Sequence, residues 1–304
     1  MSLPGLREAV PLAPMTTWRV GGAARYLLEP ASVDEVRAGV AWAGEQGLPW
    51  IVIGKGSNLL VADAGYDGLV IRMTDRLGTC ELVGDRLQAS AGCSNHILVR
   101  TGAEADRGGL EFMTTIPGTV GGAIFMNAGA HGASVMDVLA DATLLLPDGS
   151  VVTEDVSALG YRYRHSNLEE RGAIALAGTF KTVSRPKVEV QKEVSELAKW
   201  RRERQPQALS AGSVFTNPGP KSAGQLIEET GLKGLTIGRA QVSPIHANFF
   251  VNMGGATAQD LIDLIGTVRD RVHAKHGVWL HPEVRTIGCE VPQETRVERT
   301  PGLA

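Results

Sequence analysis

The sequence is poor in aromatic residues, with 6 Phe, 5 Trp and 4 Tyr among 304 residues. It has only 3 cysteines, Cys80, Cys93 and Cys289, far apart in the chain and without CxxC spacing. An odd number so placed excludes a disulfide framework and a zinc knuckle, and it suits small thiols in a reducing compartment. Charge of one sign is lacking as well. The 33 acidic and 30 basic side chains leave a formal net charge of −3, which excludes a polybasic nucleic-acid binder. No run approaches the roughly 20 apolar residues that cross a bilayer. Residues 1–14 hold no apolar stretch of signal-peptide length, and Pro4 and Pro11 interrupt them. These absences predict a cytoplasmic protein with neither a nucleic-acid nor a membrane partner. A hydrophobic content of 43% excludes disorder, and the chain length predicts two or three subdomains.

What is present in excess is glycine, 37 residues of it. Glycine is unfavourable inside regular elements, so an excess implies many places of positive φ or close backbone approach. Between the glycines the chain alternates strands and helices. Trp18–Glu29 reads as a strand. Ser32 and Glu35 form a capping-box pattern opening a helix with Val33, Val36 and Val40 on one face, and Gly47 sits at its C′ position. The continuous apolar run Pro49–Ile53 predicts a strand covered on both faces. Leu69–Met73 and Ile174–Val183 read as strands, Asn95–Asp106 as a helix, and Pro147-Asp148-Gly149 as a hairpin turn. Lys181–Gln205 carries eight Lys/Arg and four Glu, some at i,i+3 and i,i+4, which predicts an exposed charged helix joining two domains. A polyanion-binding arm is the sharper alternative, but the interleaved acidic residues argue against it as a general role, which leaves room for the helix to lie near an anionic substrate. Further on, Ser222–Thr230 and Thr257–His276 read as helices, with Leu261, Leu264, Val268 and Val272 on one face of the second. Ala247–Val251 and Pro282–Ile287 read as strands. The fold class is α+β, divided into 1–65, 66–185, a linking helix 186–205, a domain 206–290 and a polar tail 291–304.

Two glycine loops carry chemistry. Gly54-Lys55-Gly56-Ser57-Asn58-Leu59 follows a strand and can turn backbone N–H groups into a concavity, as a diphosphate requires. Its spacing is neither Walker A nor GxGxxG, and by itself a tight turn explains it as well. The second loop, Ile116-Pro117-Gly118-Thr119-Val120-Gly121-Gly122-Ala123, is followed closely by Asn127-Ala128-Gly129. Two such loops in one domain suggest one extended ligand with a pyrophosphate, such as a dinucleotide cofactor. Ser213, after Gly212, reads equally as a cap or a turn residue, and Arg164 and Glu283 as surface side chains. His273, His276 and His281 lack HExxH spacing and a nearby cysteine, so polar-face histidines and no metal are expected.

These motifs carry a resemblance. The two loops are similar to those of the vanillyl-alcohol-oxidase-type (PCMH-type) FAD-binding domain. Thr17-Trp18-Arg19-Val20-Gly21-Gly22, Tyr163-Arg164-His165-Ser166, Gly212–Pro218, His246–Asn252 and Gly277–Arg285 resemble, in order, the motifs of the UDP-N-acetylenolpyruvoylglucosamine reductase family, also called UDP-N-acetylmuramate dehydrogenases. The likeness spans residues 15 to 290. It implies a PCMH-type FAD domain of two α/β subdomains plus a C-terminal α/β substrate domain. It implies non-covalent FAD held by Gly54, Lys55, Gly56, Ser57, Asn58, Leu59, Pro117, Gly118, Thr119, Gly121, Gly122, Ala123, Asn127 and Gly129, with NADPH as co-substrate. The implied reaction is reduction of UDP-N-acetylglucosamine enolpyruvate, for peptidoglycan synthesis. Ser213 matches the proton donor, Arg164 and Glu283 the other catalytic positions, and Tyr163, Asn217 and Lys233 the substrate contacts. Arg162 repeats the Tyr-Arg step but fits the Tyr-Arg-x-Ser pattern less well than Arg164. Thr216 stands where the family commonly has lysine, so Lys221 or Lys233 is expected to serve the phosphates. No tyrosine-bearing lid insertion is evident, which resembles the shorter (type II) branch, and a monomer is expected. Two other readings stay open: a flavin oxidase on the same scaffold, and a nucleotide-binding module without catalysis.

Overall fold

The computed structural model describes residues 3–291, so the tail 291–304 lies outside it except for Val291. β1 (Arg7–Pro11), which the sequence pattern does not reveal, pairs antiparallel with β2 (Ala23–Leu28). The strand expected from Trp18 starts only at Ala23, because Arg19 at φ 59° and Gly21 at φ 112° turn the chain first. α1 (Val33–Glu45) is capped by Ser32, whose side chain accepts from Glu35 N, and Gly47 at φ 63° follows its end. Glu35 reaches Ala31 N rather than Ser32 N, so the capping box is displaced by one residue.

β3 (Trp50–Ile53), β4 (Leu59–Val61) and β5 (Tyr66–Arg72) follow. The first sheet has the order β1-β2-β5-β3, with β5 parallel to both β2 and β3. β5 is thus central and buries Leu69, Val70 and Ile71 completely, whereas β3 is an edge strand with only Ile53 buried. The Pro49–Ile53 run is apolar without being doubly covered, because composition reports apolarity and not neighbours. Since β5 completes this sheet, the first unit extends past residue 65.

The second sheet contains β6 (Cys80–Val83), β7 (Arg86–Ser90), β8 (Leu139–Leu145), β9 (Val151–Asp155) and β10 (Ile174–Lys181) in the order β9-β8-β10-β7-β6. All its pairings are antiparallel. β8 and β9 form the expected hairpin, with Asp148 accepting from Ser150 N at 2.9 Å and Gly149 at φ 81°. Between β7 and β8 lie α2 (Asn95–Glu104) and the short α3 (Val120–Phe125), which starts inside the second glycine loop with Thr119 as its N-cap.

α4 (Lys187–Arg204) is the expected charged helix, and Val190 is its only buried residue. It packs against α2 and the segment Glu111–Thr115. Arg185, just before it, bridges Glu111 and Glu193. The C-terminal unit combines α5 (Ala223–Glu229), β11 (Thr236–Ile237), β12 (Ala240–Val242), β13 (Phe250–Asn252) and α6 (Ala258–His276). α6 buries Leu261, Leu264, Ile265, Val268 and Val272 in a core that also takes in Trp18, Val20 and Leu60 from the N-terminal part. β14 (Arg285–Ile287) closes the fold by pairing in parallel with β4, Arg285 opposite Leu59. The strand leaving the first glycine loop is therefore hydrogen-bonded to the strand that carries Glu283's neighbours.

Candidate active site

The two glycine loops meet. Ser57 Oγ donates to Pro117 O at 2.7 Å, joining the first loop to the second. The first loop is packed from behind by the N-terminal motif: Thr17 N donates to Gly56 O at 3.1 Å. Glycine is required here. A Cβ on Gly56, at φ 65°, would stand 2.1 Å from Met15 O, and one on Gly54 2.4 Å from Thr119 Oγ1. The amide N–H groups of Lys55, Gly56, Ser57 and Asn58 have no acceptor among the described residues. Those of Val120 and Gly121 are taken by Cys93 O at 2.8 Å and Ala91 O at 3.0 Å.

Above the loops lies a cavity of about 820 Å³. Its walls include Gly54–Leu59, Pro117–Thr119, Gly121–Ala123 and Gly129, and also Arg164, Ser213 and Glu283. The last three come from distant segments, and the fold explains how each is held. Ser213 bridges Phe249, and next to it Val214 N donates to Asn248 O at 2.8 Å. Asn248 clamps Phe215 from both sides, at 3.0 Å to its N and 2.8 Å to its O. Glu283 N donates to Val214 O at 2.7 Å, so Ser213 and Glu283 lie on adjacent extended segments. The Ser213 hydroxyl has no hydrogen-bond partner among the described residues.

Arg164 sits at φ 56°, in a turn closed by reciprocal Arg162–His165 backbone bonds of 3.1 Å. A non-glycine residue held at positive φ is strained, and such strain gathers at functional sites. The turn hangs from the end of α3: Tyr161 OH donates to Ile124 O at 2.9 Å, Ser166 Oγ to Phe125 O at 2.6 Å and Asn127 Nδ2 to Arg162 O at 2.9 Å. Arg164 donates Nε to Glu283 Oε1 and Nη2 to Gly129 O, both at 2.8 Å. Burial pushes the Glu283 carboxyl above its ordinary value, and the Arg164 charge and hydrogen bond oppose the rise. Arg162 is not among the residues lining the cavity and contacts His165 at 2.9 Å.

Several expected residues lie elsewhere. Asn127 is buried behind the wall, its Oδ1 taken by Met136 N at 3.0 Å, and serves the Arg164 turn. Tyr163 is 57% exposed outside the cavity, its ring 5.0 Å from the Arg164 guanidinium. Asn217 Oδ1 caps Ala223 N at 3.0 Å. Lys233 pairs with Glu228 at 2.7 Å and Lys221 with Glu229 at 2.8 Å. His273 stacks on Trp279 at 3.8 Å. Conversely, the walls include His131, Trp200, Arg201, Gln205 and Arg285, which motif reading did not single out as site residues. Trp200 and Arg201 belong to the charged helix, and His131 meets Trp200 edge-on at 4.8 Å. Arg201 gives Nε to Gln205 Oε1 at 3.0 Å, and burial lowers its pKa.

The cavity fits a dinucleotide. It offers unspent backbone donors beside Lys55, glycines whose Cβ atoms would collide, and the buried Asn95 Oδ1, which has no partner among the described residues. Comparison with known proteins agrees. Residues 24–155 match the family model of an FAD binding domain, and residues 205–287 match that of the UDP-N-acetylenolpyruvoylglucosamine reductase C-terminal domain. The reductase of Rubrobacter xylanophilus is 42% identical over 286 residues, covering 94% of this chain and 96% of its own. That of Synechococcus sp. RCC307 is 45% identical over 289 residues, covering 93% and 94%. The solved reductase from Thermus caldophilus superposes with a TM-score of 0.81 at 36% identity, over 93% of this chain and 99% of that one. Fold and site together define an FAD-dependent oxidoreductase of the PCMH-type flavoprotein class. The chain belongs to the UDP-N-acetylenolpyruvoylglucosamine reductase family. Among the described residues no helix is long and apolar enough to cross a membrane, and no cluster of three potential metal ligands occurs.

Proposed function

We propose that this protein reduces UDP-N-acetylglucosamine enolpyruvate to UDP-N-acetylmuramate with NADPH, supplying peptidoglycan precursors in the cytoplasm as a monomer. FAD, which the two glycine loops would hold, would supply the two-electron chemistry between the nicotinamide and the enolpyruvyl alkene. The protein's own groups handle the charge and the proton. Arg164, oriented by Gly129 O and Glu283, offers its remaining N–H donors to the substrate carboxylate, next to which negative charge develops. Glu283, whose carboxyl burial pushes toward the neutral form, assists from the other side. Ser213 gives its proton to the carbon beside the carboxylate. A serine hydroxyl is a weak acid, but the enolate-like carbon is a strong base, and the hydroxyl has no other partner among the described residues. Residues 206–290 form the substrate domain in this reading. Asn217, Tyr163 and Lys233 meet the UDP-sugar, Lys233 exchanging Glu228 for a phosphate.

One observation carries the proposal: a hydroxyl, a guanidinium and a carboxyl from three segments converge on the cavity into which the glycine loops open. In the Ser213→Ala variant, anaerobic NADPH should still bleach the flavin. Reoxidation by the enolpyruvyl UDP-sugar should slow by about 10²–10⁴-fold, the usual worth of a positioned acid. Undiminished reoxidation would remove Ser213 from the reaction, and reoxidation by oxygen alone in the native protein would favour an oxidase.

A further inference from the structure

Residues 213–216 run between two neighbouring segments through isolated bridges rather than as a strand of a sheet. On one side Glu283 N donates to Val214 O at 2.7 Å and Thr216 N to His281 O at 2.9 Å. On the other side Ser213 bridges Phe249, and Val214 N donates to Asn248 O at 2.8 Å. There the backbone pairing stops, because the chain turns at residues 246–249, with Phe249 N donating to His246 O at 2.9 Å. The Asn248 side chain continues it. Its Oδ1 accepts from Phe215 N at 3.0 Å and its Nδ2 donates to Phe215 O at 2.8 Å. A carboxamide carries the donor and the acceptor of a peptide group, so it can stand in for the missing strand residue. Phe215 N and O have no other partner among the described residues. Asn248 is itself fixed: it is 3% exposed, and its N donates to His246 Nδ1 at 3.2 Å. Ser213 is restrained weakly from its other end. Gly212 precedes it at φ 79°, and a Cβ there would meet nothing within 4 Å.

We infer, resting on the role proposed above for Ser213, that Asn248 is a positioning residue for the proton transfer. Its side-chain amide, closed on both polar groups of Phe215, fixes the Ser213 hydroxyl against the cavity through Phe215 and Val214. Asn248 does not line the cavity, although its neighbour Phe249 does. It therefore touches no ligand and governs only the step that needs Ser213. Bleaching of the flavin by NADPH takes no proton from Ser213; reduction of the enolpyruvyl group does. A reacting atom displaced by about 1 Å can lose about a hundredfold in rate, whereas binding of cofactor and substrate elsewhere in the cavity is left intact.

The test uses the FAD-loaded protein and its variants Asn248→Ala and Asn248→Asp, without air. The aspartate keeps the shape and the acceptor but, ionised, loses the donor to Phe215 O. In both variants NADPH should bleach the flavin within about twofold of the native rate, and FAD affinity should change by less than about threefold. Maximal reoxidation by the enolpyruvyl UDP-sugar should fall by about 10–10²-fold, at an unchanged half-saturating concentration. Amide hydrogen exchange should quicken in residues 213–216 and stay native in α6. Added to Ser213→Ala, Asn248→Asp should slow reoxidation by less than about threefold more, because the group it positions is already gone. Equal slowing of bleaching and reoxidation, full additivity with Ser213→Ala, native reoxidation in both variants, or failure of both to fold with flavin would each overturn the inference alone. A native protein whose bleached flavin the sugar cannot reoxidise would overturn the proposed function, and the inference with it.

Discussion

The loops 54–58 and 116–122 are both rich in glycine and both line the cavity, yet their backbones are engaged to different extents. In the first, four consecutive N–H groups, from Lys55 to Asn58, find no acceptor among the described residues. In the second, the N–H groups of Gly118 and Thr119 also find no acceptor among the described residues, but Val120 and Gly121 donate to the 91–93 turn and Gly122 donates to Thr119 Oγ1 at 3.4 Å. An unspent donor in a concave site can receive an anion; a spent one can only form a wall against which a ligand packs. In the proposed function the diphosphate of FAD would be received mainly by the first loop, and its surface would be covered by the start of α3. Glycine is demanded by backbone conformation at Gly56 in the first loop and at Gly118, φ 141°, in the second, and by crowding at Gly54 and at Gly121, whose Cβ would stand 2.8 Å from that of Ala91.

Gly56→Ala should break the first loop and gives the largest expected effect. The left-handed conformation alone costs an alanine about 1–2 kcal/mol. The added Cβ, 2.1 Å from Met15 O, cannot be accommodated without moving the backbone that Thr17 holds. FAD affinity, followed by flavin fluorescence, should fall more than about a hundredfold, a loss of ~2.7 kcal/mol or more. The melting temperature of the cofactor-free protein should fall as well. An unaffected affinity would show that the diphosphate does not sit on this loop.

Asn58→Ala probes the join between the first loop and the reacting groups, and its effect should be smaller. Asn58 Nδ2 donates to Glu283 O at 3.1 Å, and Asn58 O accepts from Arg285 N at 3.0 Å. Only the side-chain bond is lost, worth about 1 kcal/mol, while the loop's N–H groups remain. Turnover at saturating FAD should fall by about tenfold, since a roughly 1.4 kcal/mol misplacement of Glu283 has that effect. FAD affinity should change by less than about threefold, within the ~0.6 kcal/mol scale of thermal energy. Equal losses in both would mean that Asn58 serves the cofactor rather than Glu283.

The sequence discloses the first loop well, because glycines directly after an apolar run can be read locally. It discloses the helices for the same reason: Ser32, Ser94 and Thr257 each cap the element that follows them. Ser213, Arg164 and Glu283 are visible only through motifs. What brings them together is long-range pairing, namely the Val214–Glu283 bond, the β4–β14 ladder and Asn127 beneath the Arg162 carbonyl. No local pattern encodes such contacts. Trp18 and Asn252 show the same limit. The indole donates to Phe250 O and the amide to Trp18 O, both at 2.8 Å, across more than 230 residues of sequence. Two motifs that look functional are thus a buried joint between the chain's ends. Trp200 and Arg201 were hidden for another reason: a polar, charge-rich helix reads as solvent-exposed, and its last turn becomes cavity wall only because α4 leans on the second domain.

Gly122→Ala is the gentlest challenge and the most discriminating. Gly122 lies within α3, and an added Cβ meets only Thr119 Oγ1, at 3.6 Å. Glycine inside a helix is worse than alanine by about 0.5–1 kcal/mol, so the cofactor-free protein should gain up to that amount and melt higher. Gly122 also lines the cavity, so the new methyl stands where a bound dinucleotide packs. FAD affinity should fall by no more than about tenfold, ~1.4 kcal/mol, because no anion-receiving donor is disturbed. Opposite signs for stability and affinity are what a wall predicts. If affinity fell as far as it does in Gly56→Ala, the second loop would have to hold the diphosphate directly, through the N–H groups of Gly118 and Thr119 or by exchange of the α3 bonds to Cys93, Ala91 and Thr119 for bonds to the ligand.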